Sequence, residues 1–229
     1  MARIYLNDNW SFYEDAANPN EAIEVRIPHT TREVPYNYFD EREYQMLCLY
    51  RKNIYADRAW QGKTILITFD GIAHSAEVSL NGKKLAEHHC GYTAFTVDLT
   101  DGLRFGEDNL LEVKVDSREN QNVPPFGFVI DYMTFGGIYR DVYLEVRNKE
   151  HITDAFLVSK DVDVLAGKAV LESQISLSVD DFTNGKYELS QKLDGEAIVH
   201  AAVSNKAFTV VSDLMDAGAI IRSAFCGPC

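Results

Sequence analysis

Residues 128–146 read FVIDYMTFGGIYRDVYLEV. A short apolar run ends at the carboxylate of Asp131, and an aromatic segment then leads to Gly136 and Gly137, which allow a positive φ or the close approach of another backbone. From residue 138 onward apolar and polar side chains alternate, which predicts a β-strand. A carboxylate beside aromatic rings on a loop that enters a sheet suits sugar recognition, because rings cover the apolar face of a pyranose and the carboxylate accepts hydrogen bonds from its hydroxyls. The alternative is a solvated aspartate beside a bulged strand.

The rest of the first 148 residues has the pattern of short strands separated by turns. Apolar or alternating runs predict strands near residues 4–6, 10–12, 23–27, 46–55, 64–69, 76–80, 83–88, 94–99 and 110–115. Asn81-Gly82 lies between two of these runs and predicts a tight hairpin, because both central residues of a type I′ turn need a positive φ. Pro28 ends the run at residues 23–27, which favours an edge strand. Many short strands with almost no helical period predict an all-β sandwich.

A second unit is predicted to begin after residue 148. Of the 26 aromatic residues (Phe, Trp and Tyr), 21 lie in the first 150 positions, and the polar segment RNKEHIT then follows the last strand of the aromatic-rich part. Further strands are predicted near residues 152–158, 169–179, 187–192 and 197–203. Beyond residue 206 a helix is predicted, because its apolar residues would share one face: Val211, Leu214, Met215, Ala219 and Ile220.

Several segments resemble, in the same order, parts of glycoside hydrolase family 2, which includes β-galactosidases and β-glucuronidases. GGIYRDVYL at residues 136–144 resembles the segment that closes that family's N-terminal jelly roll. The other matching segments are IPHT at 27–30, LYRK at 49–52, FDGI at 69–72, AEVSLNG at 76–82 and GYTAF at 91–95. The resemblance implies that residues 1–148 form a galactose-binding-like jelly-roll sandwich that binds sugar. It also implies that residues 149–229 form a partial immunoglobulin-like sandwich, incomplete at its C-terminus.

The resemblance implies a role for Asp131, which lies ten positions before Asp141. That spacing matches the jelly-roll aspartate of family 2 enzymes, which holds hydroxyls of the glycone and positions the β-linked sugar without transferring a proton. Gln45 stands near the place where β-galactosidases offer an asparagine to the sugar, and this residue differs. Arg140 and Asp141 are expected to form an ion pair at the end of the sheet.

Catalysis is not expected from this chain alone. Glycoside hydrolysis needs two carboxylates that flank the scissile bond, and in family 2 both lie on a (β/α)₈ barrel, a fold of about 250 residues. No alternation of strands and helices on that scale occurs here, so no catalytic residue is assigned and the barrel is the expected protein partner. A loop at residues 31–44 is expected to lie near the barrel's active site, where Tyr36, Tyr38 or Phe39 either contacts the sugar or packs in the core.

Charge and residue types argue against several other functions. Lys and Arg total 22 against 35 for Asp and Glu, a net charge of −13, and nucleic acids or anionic membranes need clustered cations. We find neither a signal peptide nor an 18-residue apolar run, so a cytoplasmic location is expected. No cofactor or metal is predicted, because the adjacent residues His88, His89 and Cys90 would point to opposite sides of a strand. A homo-oligomer is compatible with the sequence.

Two other functions compete with that of a sugar-positioning part of an enzyme. A stand-alone carbohydrate-binding or interaction module would expose a row of aromatic rings and would keep its affinity for sugars without a barrel. A thiol–disulfide oxidoreductase is the more distant alternative, because Cys226-Gly227-Pro228-Cys229 matches the thioredoxin tetrad. That chemistry needs the first cysteine at a helix N-terminus, and no helix is predicted after Cys229.

Overall fold

The computed structural model describes two compact units, residues 1–148 and 149–229. The described residues are 3–17, 19, 21–35, 37, 40–124, 126, 133–163, 165–179, 187–193, 196–203 and 207–215. Within these ranges the secondary structure consists of strands and short 3₁₀ turns, with no α-helix, which confirms the predicted all-β class. No helix in the described part of the chain is long and apolar enough to cross a bilayer.

The first unit is built from two larger antiparallel sheets and one short pair. Its strands are β1 (Arg3–Tyr5), β2 (Trp10–Tyr13), β3 (Ile23–Val25), β4 (Leu47–Tyr55), β5 (Lys63–Phe69), β6 (Ile72–Ala73), β7 (Ser75–Leu80), β8 (Lys83–His88), β9 (Phe95–Asp98), β10 (Asp108–Asp116), β11 (Gly137–Ile138) and β12 (Val142–Asn148). The four-stranded sheet has the order β1-β12-β5-β9, the six-stranded sheet has the order β3-β2-β4-β10-β7-β8, and β11 pairs with β6. Short 3₁₀ turns lie at Glu41–Glu43, Arg58–Trp60 and Thr100–Gly102.

One apolar core joins the two larger sheets. Successive side chains of a strand point to opposite faces, and every second residue of the central strands is accordingly buried. These residues are Ile65, Ile67 and Phe69 in β5, and Leu111, Val113 and Val115 in β10. All six belong to one contiguous core cluster, to which Val142 and Leu144 of β12 also belong. The sheets therefore pack face to face as a β-sandwich.

Local sequence signals account for most of these strands. Asn81 and Gly82 have φ values of 51° and 81° between the paired strands β7 and β8, which confirms the predicted hairpin. Strand β3 lies at the edge of the six-stranded sheet, as the proline after its run predicts. Strand β6 was not predicted, because two residues are too few to show a periodicity.

The second unit corrects one prediction. Its strands are β13 (Ile152–Asp163), β14 (Lys168–Leu177), β15 (Tyr187–Leu193), β16 (Glu196–Val203) and β17 (Ala207–Met215), with the orders β13-β14-β17 and β15-β16. The predicted helix is wrong for residues 207–215, because they form β17 and pair with β14 along their whole length. Ala219 and Ile220 lie outside the described residues. Thr209, Val210 and Val211 are β-branched, which favours a strand when a partner edge is available. The immunoglobulin-like identity of this unit stays a prediction.

Candidate functional site

The Gly136-Gly137 pair is held against the segment at residues 29–31. The backbone N–H of Thr31 donates to the carbonyl oxygen of Gly136 at 3.0 Å. Gly137 has a φ of 118°, and a Cβ atom added there would lie 2.6 Å from the carbonyl oxygen of His29 and 2.9 Å from the hydroxyl of Tyr50. Only glycine satisfies both this φ and this close approach, so the point at which the chain enters the sandwich is fixed.

Buried hydroxyl groups fix the neighbouring segments. The Oγ of Ser117 lies 2.9 Å from the carbonyl oxygen of Tyr44, to which it donates, and accepts a hydrogen bond from the backbone N–H of Met46 at 3.0 Å. The Oγ1 of Thr31 also donates to the carbonyl oxygen of Tyr44, at 3.2 Å. Ser117 and Thr31 are both buried, so these bonds are shielded from water and hold three distant parts of the chain together.

His74 anchors the segment just before the glycine pair. Its Nε2 lies 3.2 Å from the carbonyl oxygen of Thr134, and since a carbonyl only accepts, Nε2 carries the proton. Its backbone N–H donates to the carbonyl oxygen of Asp116 at 3.1 Å. The residue is 6% exposed, and burial lowers the pKa of its side chain against the opposing effects of Thr134 and Asp116. The imidazole is therefore neutral at pH 7.

An open cleft of about 500 Å³, which we call the polar cleft, lies at the end of β10. It is lined by His74, Ser75 and residues 116 and 118–123. A tight turn shapes its outer wall, because the N–H of Val123 donates to the carbonyl oxygen of Asn120 at 3.0 Å and the N–H of Asn122 donates to the Oδ1 of Asn120 at 2.9 Å. Such Asx turns give a polar loop a defined shape.

Carboxylate and guanidinium groups meet inside the polar cleft. The Nε and Nη2 atoms of Arg118 donate to the two carboxylate oxygens of Asp116 at 2.8 and 2.6 Å. Burial raises the pKa of Asp116, but the hydrogen bonds and charge of Arg118 outweigh burial and lower the net value. The Oε1 of Gln45 accepts from the backbone N–H of Glu119 at 3.2 Å. Gln45 therefore supports the wall of the cleft.

Exposed apolar side chains lie on both sides of residues 127–132. Phe126 is 43% exposed, Met133 is 37% exposed and Phe135 is 38% exposed. The ring of Phe135 also packs against that of Tyr44, with centroids 5.3 Å apart. Apolar side chains in such positions suit contact with a sugar ring or with another protein surface.

The described residues leave several predicted site positions untested. Asp131 lies outside them, as do Tyr36, Tyr38, Phe39 and the Cys226–Cys229 tetrad. The sugar contact of Asp131 and the chemistry of the terminal cysteines stay predictions.

The predicted ion pair between Arg140 and Asp141 is wrong. The Oδ1 of Asp141 accepts a hydrogen bond from the Nδ2 of Asn7 at 2.8 Å. The guanidinium of Arg140 lies over the ring of Tyr139, 5.3 Å from its centroid.

Sequence reasoning did not identify the polar cleft. Its residues come from a strand junction near position 74 and from the run SRENQN at 117–122. The run is a visible signal, since six consecutive polar residues follow a buried strand. Its link to His74 depends on the pairing of β7 with β10, which places Ser75 opposite Asp116.

Lowering the pH from 7.5 to 5.5 is expected to destabilise the fold by about 1 kcal/mol. Burial lowers the pKa of both His74 and His29, so the unfolded chain binds more protons and stability is lost as the pH falls through about 6.5. The largest possible loss in the free energy of unfolding is about 1.4 kcal/mol per pH unit for each histidine, and partial solvent screening reduces this loss. Urea unfolding at the two pH values measures the change.

Substituting single histidines tests this assignment. His74→Gln should remove part of the pH dependence, because glutamine does not titrate. Gln61→Ala, at an exposed position that carries no titratable group, should leave the dependence as it is. An unchanged pH dependence in His74→Gln would contradict the role of burial at this position.

Comparison with known proteins agrees with this architecture. Residues 20–147 match the family described as glycosyl hydrolases family 2, sugar binding domain. A β-galactosidase from Thermoanaerobacter pseudethanolicus is 38% identical over 201 residues, which cover 86% of this chain and 26% of that protein. A β-glucuronidase from Bacteroides fragilis is 32% identical over 152 residues, which cover 66% of this chain and 21% of that protein. The chain thus spans about a quarter of the length of the curated relatives it matches.

A solved structure shows the same fold. The crystal structure of a putative β-galactosidase from Bacteroides fragilis superposes with a TM-score of 0.76 and covers 94% of this chain and 36% of that chain, at 24% identity. At this identity the structural likeness supports the fold alone. Membership of the family rests on the match at residues 20–147 and on the β-galactosidase relative. The chain belongs to glycoside hydrolase family 2, and its residues 20–147 correspond to that family's sugar-binding domain.

Proposed function

We propose that this chain is the sugar-positioning, non-catalytic portion of a cytoplasmic family 2 glycoside hydrolase of β-galactosidase type. In this proposal the carboxylate of Asp131 accepts hydrogen bonds from hydroxyls of the glycone of a β-linked sugar. A (β/α)₈ barrel outside this chain supplies the two carboxylates that cleave the bond. The family match and the β-galactosidase relative at 38% identity support the proposal.

The anchoring of Val123 and of Thr134 is the structural observation that carries the proposal. Before position 131 in the chain, the backbone hydrogen bond to Asn120 fixes Val123. After it, the side chain of His74 donates a hydrogen bond to the carbonyl oxygen of Thr134. Fixed ends on a β-sandwich suit a group whose task is to hold a substrate in one orientation.

The exposed apolar side chains suit a neighbouring protein surface. Phe126, Met133 and Phe135 are each more than one-third exposed, and contact with a barrel would remove their apolar area from water. These side chains would thereby form the boundary of the sugar site. In this proposal the sandwich orients the substrate and the barrel transfers the proton, as in enzymes whose remote contacts position the reacting bond.

A stand-alone carbohydrate-binding module is the second candidate. The exposed rings of Phe126 and Phe135 favour it, because aromatic rings alone can hold the apolar face of a pyranose. Such a module would bind free sugars more tightly than weak millimolar affinity. A positioning portion would bind them weakly, because it supplies only part of the site.

The purified 229-residue chain is expected to show no hydrolysis of chromogenic β-galactosides or β-glucuronides. Absorbance assays at high protein concentration measure the rate, with a complete family 2 β-galactosidase as the positive control. Titration calorimetry with methyl β-galactoside in parallel should give no affinity tighter than millimolar. Robust turnover would mean that the catalytic groups lie in this chain, and micromolar affinity would favour the stand-alone module.

A further inference from the structure

The side-chain amide of Asn81, in the turn between β7 and β8, is held by three hydrogen bonds. Its Nδ2 donates to the carbonyl oxygen of Gly102 at 3.0 Å and to the Oδ1 of Asn109 at 2.9 Å. Its Oδ1 accepts from the backbone N–H of Leu110 at 3.0 Å. A carbonyl only accepts and a backbone N–H only donates, so the orientation of the amide is determined. Both N–H groups and the oxygen of this side chain are therefore used inside the fold.

Asn109 extends these bonds into a buried network. Its side chain is fully buried, and its Oδ1 also accepts from the backbone N–H of Arg104 at 2.8 Å. Its Nδ2 donates to the carbonyl oxygens of Arg104 and Glu107, each at 3.0 Å. The loss of one donor from such a network leaves buried acceptors without a partner, which is costly in a medium of low dielectric constant. The side chain of Asn81 thus connects the hairpin turn to the loop that precedes β10.

Asparagine followed by glycine is the dipeptide in which deamidation meets least hindrance, because glycine has no side chain beside the attacking nitrogen. The backbone nitrogen of Gly82, having lost its proton to a base in solution, would form a bond to the Cγ of Asn81. The bond from Cγ to Nδ2 then breaks and ammonia leaves, after which water opens the cyclic imide to aspartate or isoaspartate. The reaction consumes one water, releases one ammonia and needs no oxidant or reductant.

The turn keeps the reacting atoms apart. Asn81 and Gly82 have φ values of 51° and 81° and lie between the paired residues Leu80 and Lys83. In a type I′ turn of this kind the ψ of the first central residue is about +30°. This ψ places the nitrogen of Gly82 nearly opposite the Cβ of Asn81 about the Cα–C bond, so ring closure requires a backbone rotation that breaks the turn. The reaction therefore has to wait until the hairpin opens.

The products do not fit the folded unit. Aspartate at position 81 has an oxygen in place of Nδ2, so the carbonyl oxygen of Gly102 and the Oδ1 of Asn109 would lose their donor. Buried acceptors that lose their donor carry the full cost of desolvation, and here they would also face a negative charge. Isoaspartate adds a methylene group to the backbone of the turn, which shifts the register of β7 against β8. Either product destabilises the first unit.

We propose that Asn81-Gly82 is a latent deamidation site, which the folded first unit protects and which a lasting opening of the β7–β8 hairpin exposes to reaction. The reaction removes two hydrogen-bond donors from the buried network, so the opened molecule cannot regain its original stability. Deamidation thereby makes an otherwise reversible opening irreversible. This inference is independent of the proposed role in sugar binding.

Mass spectrometry of the 229-residue chain tests the protection, and the chain contains its own comparator. The tripeptide Asn-Gly-Lys at residues 81–83 also occurs at residues 184–186, which lie outside the described residues. Trypsin releases the two sites in the peptides 64–83 and 169–186, each with a single asparagine. In guanidinium chloride at mildly alkaline pH the two asparagines are expected to deamidate at similar rates, because the local sequence is the same.

Without denaturant, Asn81 is expected to deamidate at least about tenfold more slowly than in guanidinium chloride, since opening of a packed hairpin costs free energy. An equal rate in the folded chain would overturn the inference, because it would mean that the turn gives no protection. Failure of Asn81 to react in the denatured chain, where Asn184 reacts, would also overturn it.

The Asn81→Asp variant introduces one product directly. It is expected to lower the urea midpoint of the first unit by about 1 M or more, because two buried acceptors lose their donor. Asn53→Asp is the matched control, the same change at an exposed position of β4, and should leave the midpoint nearly unchanged. An Asn81→Asp chain too unstable to fold would agree with the inference, whereas equal midpoints of the two variants would overturn it.

Discussion

The Asp131→Ala variant of an enzyme that joins this chain to a family 2 barrel is expected to lose about a hundredfold or more in kcat/KM on a β-galactoside. A carboxylate that accepts hydrogen bonds from glycone hydroxyls fixes the orientation of the scissile bond, and a misplacement of about 1 Å costs on the order of a hundredfold in rate. Steady-state kinetics with a chromogenic substrate measures the loss. The stability of the variant should equal that of the parent.

Two further variants separate positioning from a general loss of charge. Asp131→Asn keeps the shape and one acceptor oxygen and is expected to lose less than the alanine variant. Asp101→Ala removes an exposed carboxylate from the turn Thr100–Gly102 and should leave kcat/KM unchanged. Near-parental turnover in Asp131→Ala would refute the role proposed for this residue.

Gly137→Ala is expected to destabilise the first unit by about 3 to 4 kcal/mol. Two costs combine, because the φ of 118° is strained for any residue with a Cβ atom and because that atom would lie 2.6 Å from the carbonyl oxygen of His29. Backbone strain of this kind costs about 1–3 kcal/mol, and overpacking adds about 1–3 kcal/mol. Urea unfolding followed by tryptophan fluorescence measures the change, since Trp10 and Trp60 both lie in this unit.

Gly62→Ala supplies the matched control for this prediction. Gly62 has a φ of 80° and nothing within 4 Å of an added Cβ atom, so the substitution introduces backbone strain without a collision. It is expected to cost about 1–2 kcal/mol. Equal losses in the two variants would show that the contact with the segment at residues 29–31 contributes little.

Alternation and turn chemistry were sufficient to predict most of the sandwich. Strands β5 and β10 each bury every second residue, and one face of such a strand can only be covered by a second sheet. The Asn81-Gly82 turn was predictable because it rests on adjacent residues. Strand β17 was not, because residues 207–215 fit a helical face as well and only the edge of β14 selects the strand.

The candidate site was less accessible to sequence reasoning. The resemblance to family 2 supplied Asp131 and its role, whereas the polar cleft requires His74 and residues 116–123 to meet. That meeting depends on the pairing of β7 with β10 and on the hydroxyl contacts of Ser117. Exposed amides in a loop look the same in a sequence whether they bind a ligand or only water.

The pairing of β1 with β12 has a consequence for how this unit is carried in longer proteins. Arg3 lies opposite Glu145 in neighbouring antiparallel strands, which are separated by about 4.8 Å. The start of β1 therefore lies beside the C-terminal part of β12. A module with adjacent termini can be inserted into a surface loop or circularly permuted with little disturbance of its host. The sandwich therefore has the geometry of a domain that gene fusion can join to different catalytic domains.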